Sequence, residues 1–419
     1  MSAVAGAAVG PAEFDALMAP LGPFGAAPRL AAGVSGGPHS LALALLAVEW
    51  ARRRGGGLLA LVADHGARPE SGAEADGVRA TLAARGVEGR VLRLGLAPGP
   101  GFQERARTAR LRAMLDACAE TGRPWLLLGH HRADQAETVL FRALRGSGPA
   151  GLAAMAPARA EAAALVLRPL LDIAPARLEA VVSAAGLSPV RDPSNADPRF
   201  ARASLRLAMA DPDGTGTAVA ALAEATRAFG SRRAASDAAV ASRLAAAARL
   251  HPEGFADVDS RALGEDAVAD AAIAALLRVV GGAERPPPVE AARRLRRSGG
   301  GTLAGAWMRR AGAGAGWRLV REPNGAGPAV PARPGAVWDR RFRLVGAGAP
   351  DCSIAALGRA RLGMSPLAGK PLPSTVLATF PAVRRNAALV AVPALLYPDR
   401  ETCARFTMVF APEGGPASR

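Results

Sequence analysis

Apolar positions in the first half of the chain fall in short unbroken runs, each followed by a polar turn and a longer mixed stretch. Residues 29–34, Arg-Leu-Ala-Ala-Gly-Val, predict a buried strand; Ser35 to Ser40 then form a Gly-rich turn, and Leu41 to Arg53 a helix. The pattern recurs. Leu58–Val62 predicts a second strand with a helix over Ser71–Arg85, and Val91–Leu94 a third with a helix over Gln103–Ala119. Trp125–Leu128 predicts a fourth strand with a helix over Asp134–Leu144. Leu165–Leu167 predicts a fifth with a helix near Pro175–Ala185, where Pro175 suits a first helical position. Strands and helices alternating in this way predict an α/β fold with a doubly wound, Rossmann-like parallel sheet. Such sheets take ligands at the carboxyl ends of their strands, and each polar cluster discussed below follows one of these strands.

The pattern then changes. Residues 201–250 are rich in Ala and Arg without a strand signal and predict helices leaving the first domain. Residues 281–335, with Pro286-Pro287-Pro288 and Gly299-Gly300-Gly301, predict loops and a boundary. Short apolar runs broken by prolines, such as Ala387–Val392, predict a small mixed α/β module at the end. The expected division is a catalytic domain over 1–214, a helical region over 215–325 and a C-terminal module over 326–419. No fixed-period repeat is visible.

Charge adds a candidate partner. The 419 residues include 52 basic and 36 acidic ones, a net charge of +16, and the cations are nearly all arginine, with Lys370 the sole lysine. The surplus points to a polyanion, nucleic acid ahead of an acidic membrane, although the abundance of Ala, Gly, Arg and Pro equally fits a genome-wide compositional bias. Aromatic residues make up 4% and Tyr397 is the single tyrosine, which disfavours rows of stacking platforms and favours arginine on phosphate. Cys118, Cys352 and Cys403 are far apart and form no CxxC pair, which argues against a disulfide scaffold or a cysteine-held metal. No basic signal-peptide region precedes the N-terminal Ala/Gly stretch, and the apolar run Leu41–Val48 is too short to cross a bilayer. The expectation is a soluble cytoplasmic protein that does not engage a membrane.

Five segments carry candidate chemistry. In Ser35-Gly36-Gly37-Pro38-His39-Ser40, two glycines let backbone N–H groups approach phosphate oxygens, and the following helix adds a favourable dipole. No lysine follows, so this is not a Walker A loop, and a plain strand-to-helix turn is the bland alternative. Asp64-His65-Gly66-Ala67-Arg68-Pro69-Glu70-Ser71 follows the second strand and reads equally as a turn with Ser71 as N-cap and Glu74 completing a capping box. In Gly129-His130-His131-Arg132-Ala133-Asp134-Gln135-Ala136-Glu137-Thr138, the spacing puts His130, Asp134 and Glu137 on one helical face. The alternative is a helix start with acids in its first turn. Zinc would need a third ligand that is not evident, so no metal ligands are assigned. Arg142 and Arg145 before Gly146-Ser147-Gly148 either meet phosphates or cap the helix end. Arg191-Asp192-Pro193-Ser194-Asn195 is a turn signal, and Arg199, Arg202 and Arg206 recur at helical spacing, as a solvated or a phosphate-binding stripe. Arg107 and Arg110 share a helical face within Gln103–Arg112.

In this order the segments resemble the tRNA(Ile)-lysidine synthetases, a family of PP-loop ATP pyrophosphatases. The resemblance rests on Ser35–Ser40, Asp64–Ser71, His130–Thr138, Arg145–Gly148, Arg168-Pro169-Leu170-Leu171 and Asp192–Asn195 with Arg202 and Arg206, and covers roughly half the chain. Softer similarity to C-terminal parts of proteobacterial members lies at Thr302–Gly305, Arg321-Glu322, Val337-Trp338-Asp339 and Arg341-Phe342. It implies a two-step ligation. ATP adenylates the C2 oxygen of the wobble cytidine in the CAU anticodon of an isoleucine tRNA, releasing pyrophosphate; the ε-amine of free L-lysine then attacks C2 and AMP leaves. It further implies that Ser35, Gly36, Gly37, Pro38, His39 and Ser40 hold the pyrophosphate end of ATP. Asp134 would sit at the reacting centre and take a proton from the amine, beside His130. Arg107 or Arg110, with Arg206, would offset phosphate charge and position the nucleotide or anticodon. Mg2+ would bridge phosphate oxygens, and no partner protein is implied.

This chain departs from the family pattern at His39, where relatives carry an acid. An aspartate is an oxygen ligand suited to magnesium and imidazole is not, although it can donate to phosphate. Either the enzyme works with metal held by phosphates, water and Asp134, or adenylation is crippled and the chain is a tRNA-binding pseudoenzyme. Leu111 replaces a frequent tyrosine, a packing change. PP-loop thiolation enzymes that use cysteines for sulfur transfer or clusters need paired ones, which this sequence lacks; a membrane-surface protein would need an amphipathic basic helix that it also lacks.

Overall fold

The computed structural model describes residues 6–66, 70–97, 99–161, 163–190, 201–311, 316–358 and 372–412, with backbone only for 201–203. The chain forms two compact units, Met1–Arg233 and Ala234–Arg419.

The first unit holds a six-stranded sheet. Its strands are β1 (Arg29–Val34), β2 (Gly57–Asp64), β3 (Glu88–Arg93), β4 (Trp125–Leu128), β5 (Ala158–Ala160) and β6 (Leu165–Leu167), in the order β3-β2-β1-β4-β6-β5. All neighbours pair in parallel except β5, which forms an antiparallel edge hairpin with β6 that the apolar pattern did not predict. All three residues of β5 are exposed, so they carry no apolar signal. The helices are α1 (Pro11–Met18), α2 (Pro38–Arg52), α3 (Ser71–Ala83), α4 (Phe102–Thr121), α5 (Arg132–Leu144), α6 (Pro149–Leu152), α7 (Pro175–Ala184), α8 (Ala201–Met209) and α9 (Thr217–Ala247).

The apolar runs are unbroken because both sheet faces are covered. Leu30, Ala32 and Val34 of β1, with Leu58, Ala60 and Val62 of β2, pack in one core with α1, α2, α3 and α7. The alternate residues Ala31, Leu59 and Leu61 face Met114, Ala117 and Cys118 of α4 in the other. Chain order reverses between β1 and β4, so the crevice of a doubly wound sheet opens between their carboxyl ends.

In the second unit the expected helical region differs from prediction. Besides α9, it holds α10 (Ser260–Leu263), α11 (Ala267–Gly281) and α12 (Val289–Arg297), but also an antiparallel sheet. Its strands are β7 (Ala248–Leu250), β8 (Ala256–Asp259), β9 (Gly301–Leu303), β10 (Ala306–Ala311) and β11 (Gly316–Arg321), in the order β7-β8-β11-β10-β9. Arg309 and Arg310 stand at consecutive positions of β10, and Arg318 and Arg321 interrupt the apolar residues of β11, which hid their alternation. The C-terminal part holds β12 (Val330–Pro331), β13 (Val337–Trp338), β14 (Phe342–Leu344), β15 (Ser353–Ala356), β16 (Pro381–Arg385), β17 (Ala388–Ala391) and β18 (Met408–Phe410). They form two antiparallel sheets, β12-β15-β16-β17 and β13-β14-β18, with short helices α13 (Ser374–Ala378) and α14 (Arg400–Arg405). Three softly matching segments meet here: the buried Asp339 carboxylate accepts from Arg321 at 2.8 and 2.9 Å and from Arg341 Nε at 2.8 Å.

Candidate active site

The Gly-rich turn leaves β1 at the crevice. Gly36 has φ +79°, a left-handed conformation that favours glycine, and a Cβ there would lie 2.6 Å from Val78 Cγ2. Gly37 is the N-cap of α2 and Pro38 occupies its first turn, fixing the direction of the helix. The Ser40 hydroxyl donates to Gly37 O at 2.9 Å and accepts from Ser35 N–H at 3.1 Å, closing the loop into a compact turn. The first turn of α2 has no intrahelical acceptors for its N–H groups, the usual receptor for an anion.

The second wall follows β4. Gly129 lets the chain pass close to α2: a Cβ there would sit 3.0 Å from His39 O and 3.2 Å from Ser40 Cα. α5 starts at Arg132 with His131 as N-cap, so His130 lies before the helix and not on its face, contrary to the spacing argument. His131, which the sequence reading passed over, takes the contact instead. Its backbone N–H donates to Asp134 Oδ2 at 3.0 Å, and its Nε2 lies 3.4 Å from the same oxygen. Asp134 therefore ties down its own helix N-terminus and also presents a carboxylate to the crevice. Burial would raise its pKa, but His131, His130, the His131 N–H and Arg206 outweigh it and hold the carboxyl below its usual range.

Arg206 on α8 reaches this wall. Its Nη2 donates to Glu137 Oε2 at 2.8 Å and lies 3.9 Å from Asp134 Oδ1. Glu137, noted in the motif without a role, is almost fully buried and anchors that guanidinium. Gln135 is structural: its amide exchanges two hydrogen bonds with the Met155 backbone.

Arg107 and Arg110 come from α4, beside His130 and Arg168. Burial, with Arg168, Arg107 and Arg110 nearby, pushes the His130 imidazole down to about 4 against the pull of Asp134, so it is neutral at physiological pH. Arg168 directly follows β6 and is buried; burial, Arg159 and Arg107 push it down to about 10. Its only prior signal was its place in the Arg-Pro-Leu-Leu motif. Five of the proposed residues, Asp134, His130, Arg107, Arg110 and Arg206, thus gather around the β4 loop next to the turn Ser35–Ser40.

Two other segments are tied within their own neighbourhood. Ser71 is the first residue of α3 and not its N-cap; its hydroxyl donates to Asp64 Oδ1 at 2.7 Å, which also accepts from Gly66 N–H. Arg142 Nη1 donates to Gly151 O and Ala154 O, and Arg145 stacks over Phe141 at 4.3 Å. Each cysteine is buried and unpaired, and burial pushes Cys118 up to about 11. Arg68, Asp192–Asn195, Arg199 and the side chain of Arg202 lie outside the described residues.

A Gly-rich turn at the switch point of a parallel sheet, beside a His-Asp wall, is the arrangement of a PP-loop protein, and residues 12–211 match the family model of the PP-loop domain. The tRNA(Ile)-lysidine synthase of Bradyrhizobium sp. is 46% identical over 47% of this chain and 55% of that protein. The enzyme of that name from Methylobacterium nodulans is 42% identical over 64% of this chain and 79% of its own length, and that from Rhizobium meliloti 34% identical over 83% and 80%. The chain belongs to the tRNA(Ile)-lysidine synthase family. It spans about half the length of the Bradyrhizobium relative.

Proposed function

We propose that the chain ligates free L-lysine to C2 of the wobble cytidine in the CAU anticodon of an isoleucine tRNA, at the expense of ATP. The observation that carries this reading is the adjacency of the Gly-rich turn and the Asp134 wall across one crevice. In the first step the cytidine C2 oxygen attacks the α-phosphorus and pyrophosphate leaves toward the α2 N-terminus. In the second the lysine ε-nitrogen bonds to C2, the C2–O bond breaks and AMP departs with the oxygen.

Asp134 orients the amine and takes a proton as the C–N bond forms. A carboxylate held low is a weak base for free ammonium, but nitrogen bonded to the cationic C2 centre is far more acidic, so the transfer is timed to bond formation. Neutral His130 can accept a hydrogen bond without adding charge to a region already lined by Arg107, Arg110 and Arg168. These arginines offset the charge of the α-phosphate and AMP. Arg206, anchored by Glu137, positions the anticodon nucleotide. Three reactants must meet, so orientation supplies much of the rate.

Magnesium fits the residues present. Asp134, Glu179 and the Ser35 and Ser40 hydroxyls are oxygen donors around the turn, and among the described residues no three acid, His or Cys side chains form a metal cage. Those oxygen donors suit an ion bound mostly by phosphates and water with one or two carboxylates. When bound it would neutralise phosphate charge. The proposed site of action is the cytoplasm; no helix among the described residues is long and apolar enough to cross a membrane.

Labelled lysine, ATP and the isoleucine tRNA with a CAU anticodon test the reading, with a methionine tRNA of the same anticodon bases as control. ATP-dependent labelling of the first alone, abolished by Asp134→Asn, is expected. No lysine incorporation together with no pyrophosphate release would refute it in favour of a tRNA-binding pseudoenzyme.

A further inference from the structure

The turn Ser35–Ser40 contains hydroxyls, amides and an imidazole but no anionic oxygen. Magnesium on a nucleotide is normally met by a carboxylate as well as by phosphates. One carboxylate stands beside the turn. Glu179, on α7, places Oε1 3.9 Å from His39 Nε2. The His39 ring in turn meets the His131 ring edge-on at 4.1 Å, and His131 Nε2 lies 3.4 Å from Asp134. A row of carboxylate, imidazole, imidazole and carboxylate therefore runs from α7 across the mouth of the turn to α5. α7 packs along α2, so Glu179 is fixed relative to the turn. Its side chain remains half exposed at 46% and can reach an ion at the phosphate end.

We propose that Glu179 supplies, from α7, the carboxylate that the turn itself lacks, holding the hydrated magnesium of ATP while His39 donates to phosphate. The inference rests on the ATP-binding part of the proposed function. A separation of 3.9 Å between His39 and Glu179 leaves the acid beside the turn and not inside it, which suits contact with the ion through its water shell.

Calorimetric titration of the full chain with ATP, in magnesium and in EDTA, tests this, with Mn2+ binding followed by electron paramagnetic resonance. In wild type, magnesium raises ATP affinity. In Glu179→Gln the ratio of the two affinities falls on the order of tenfold, as expected for loss of a group supporting a metal, and Mn2+ binding in the presence of ATP weakens in parallel. Adding His39→Asp to Glu179→Gln restores the ratio, which no merely structural role for Glu179 would allow. A ratio kept within about twofold in Glu179→Gln, or one lost but not restored by His39→Asp, overturns the assignment. Wild type that binds no ATP in either condition refutes the proposed function itself, whereas normal magnesium-dependent binding that survives Glu179→Gln refutes only this inference.

Discussion

Neutral His130 is the most directly measurable consequence of the site. Its imidazole lies among Arg168, Arg107 and Arg110, and burial is the largest cause of a pKa of about 4 against 6.5 for the free side chain. The folded value lies below the unfolded one. As pH falls through 6.5 the unfolded chain takes up a proton that the folded chain refuses, so stability is complete above 6.5 and is lost between 6.5 and 4. Integrating between pH 7 and pH 5 gives a loss of about 2 kcal/mol from this group alone. His130→Asn removes the titration, so its urea unfolding free energy should fall by about 2 kcal/mol less than that of wild type over this interval. The Cε1 proton resonance of His130, assigned by comparison with the variant, should titrate near 4. A midpoint at or above 6.5, or equal acid losses in the two proteins, would refute the reasoning and with it the neutral acceptor role.

Three further outcomes are expected. Gly36→Ala combines a left-handed φ of +79° with a Cβ 2.6 Å from Val78, which should cost about 2 kcal/mol in a thermal-shift measurement and weaken ATP binding. Arg206→Ala removes the 2.8 Å pair to Glu137; because the guanidinium is 44% exposed, the stability loss should be only about 1 kcal/mol, while lysine incorporation falls much further. Asp339→Ala strips the buried Arg341 and Arg321 of their common carboxylate and should destabilise the second unit by about 3 kcal/mol or more, read as increased proteolysis there.

The first unit was legible because both faces of its sheet are buried. Unbroken runs such as Leu58–Val62 announce such strands, and the polar residues that follow announce its rim. The exposed hairpin strand Ala158–Ala160 carries no apolar signal and stayed hidden. In the second unit, Arg309, Arg310 and Arg318 on β10 and β11 masked the alternation, and glycines around them mimicked loops. At the site, spacing grouped Asp134 with Glu137 correctly, since both lie on α5 and meet Arg206. It misplaced His130, because the helix starts two residues later and the adjacent His131 caps it. Glu179 could not be read at all: nothing local marks a glutamate on an amphipathic helix as the neighbour of a turn 140 residues earlier.

The passage of Gly129 against the first turn of α2 has a mechanical consequence. With no side chain between them, the end of β4 and the start of α2 approach through backbone, leaving no room for a Cβ without a shift of one or the other. In the proposed reaction, the turn that would grip the pyrophosphate and the wall that carries Asp134 meet through this contact. A single methyl at Gly129 would act as a wedge at its centre, impairing both half-reactions together, whereas changes at either rim would separate them.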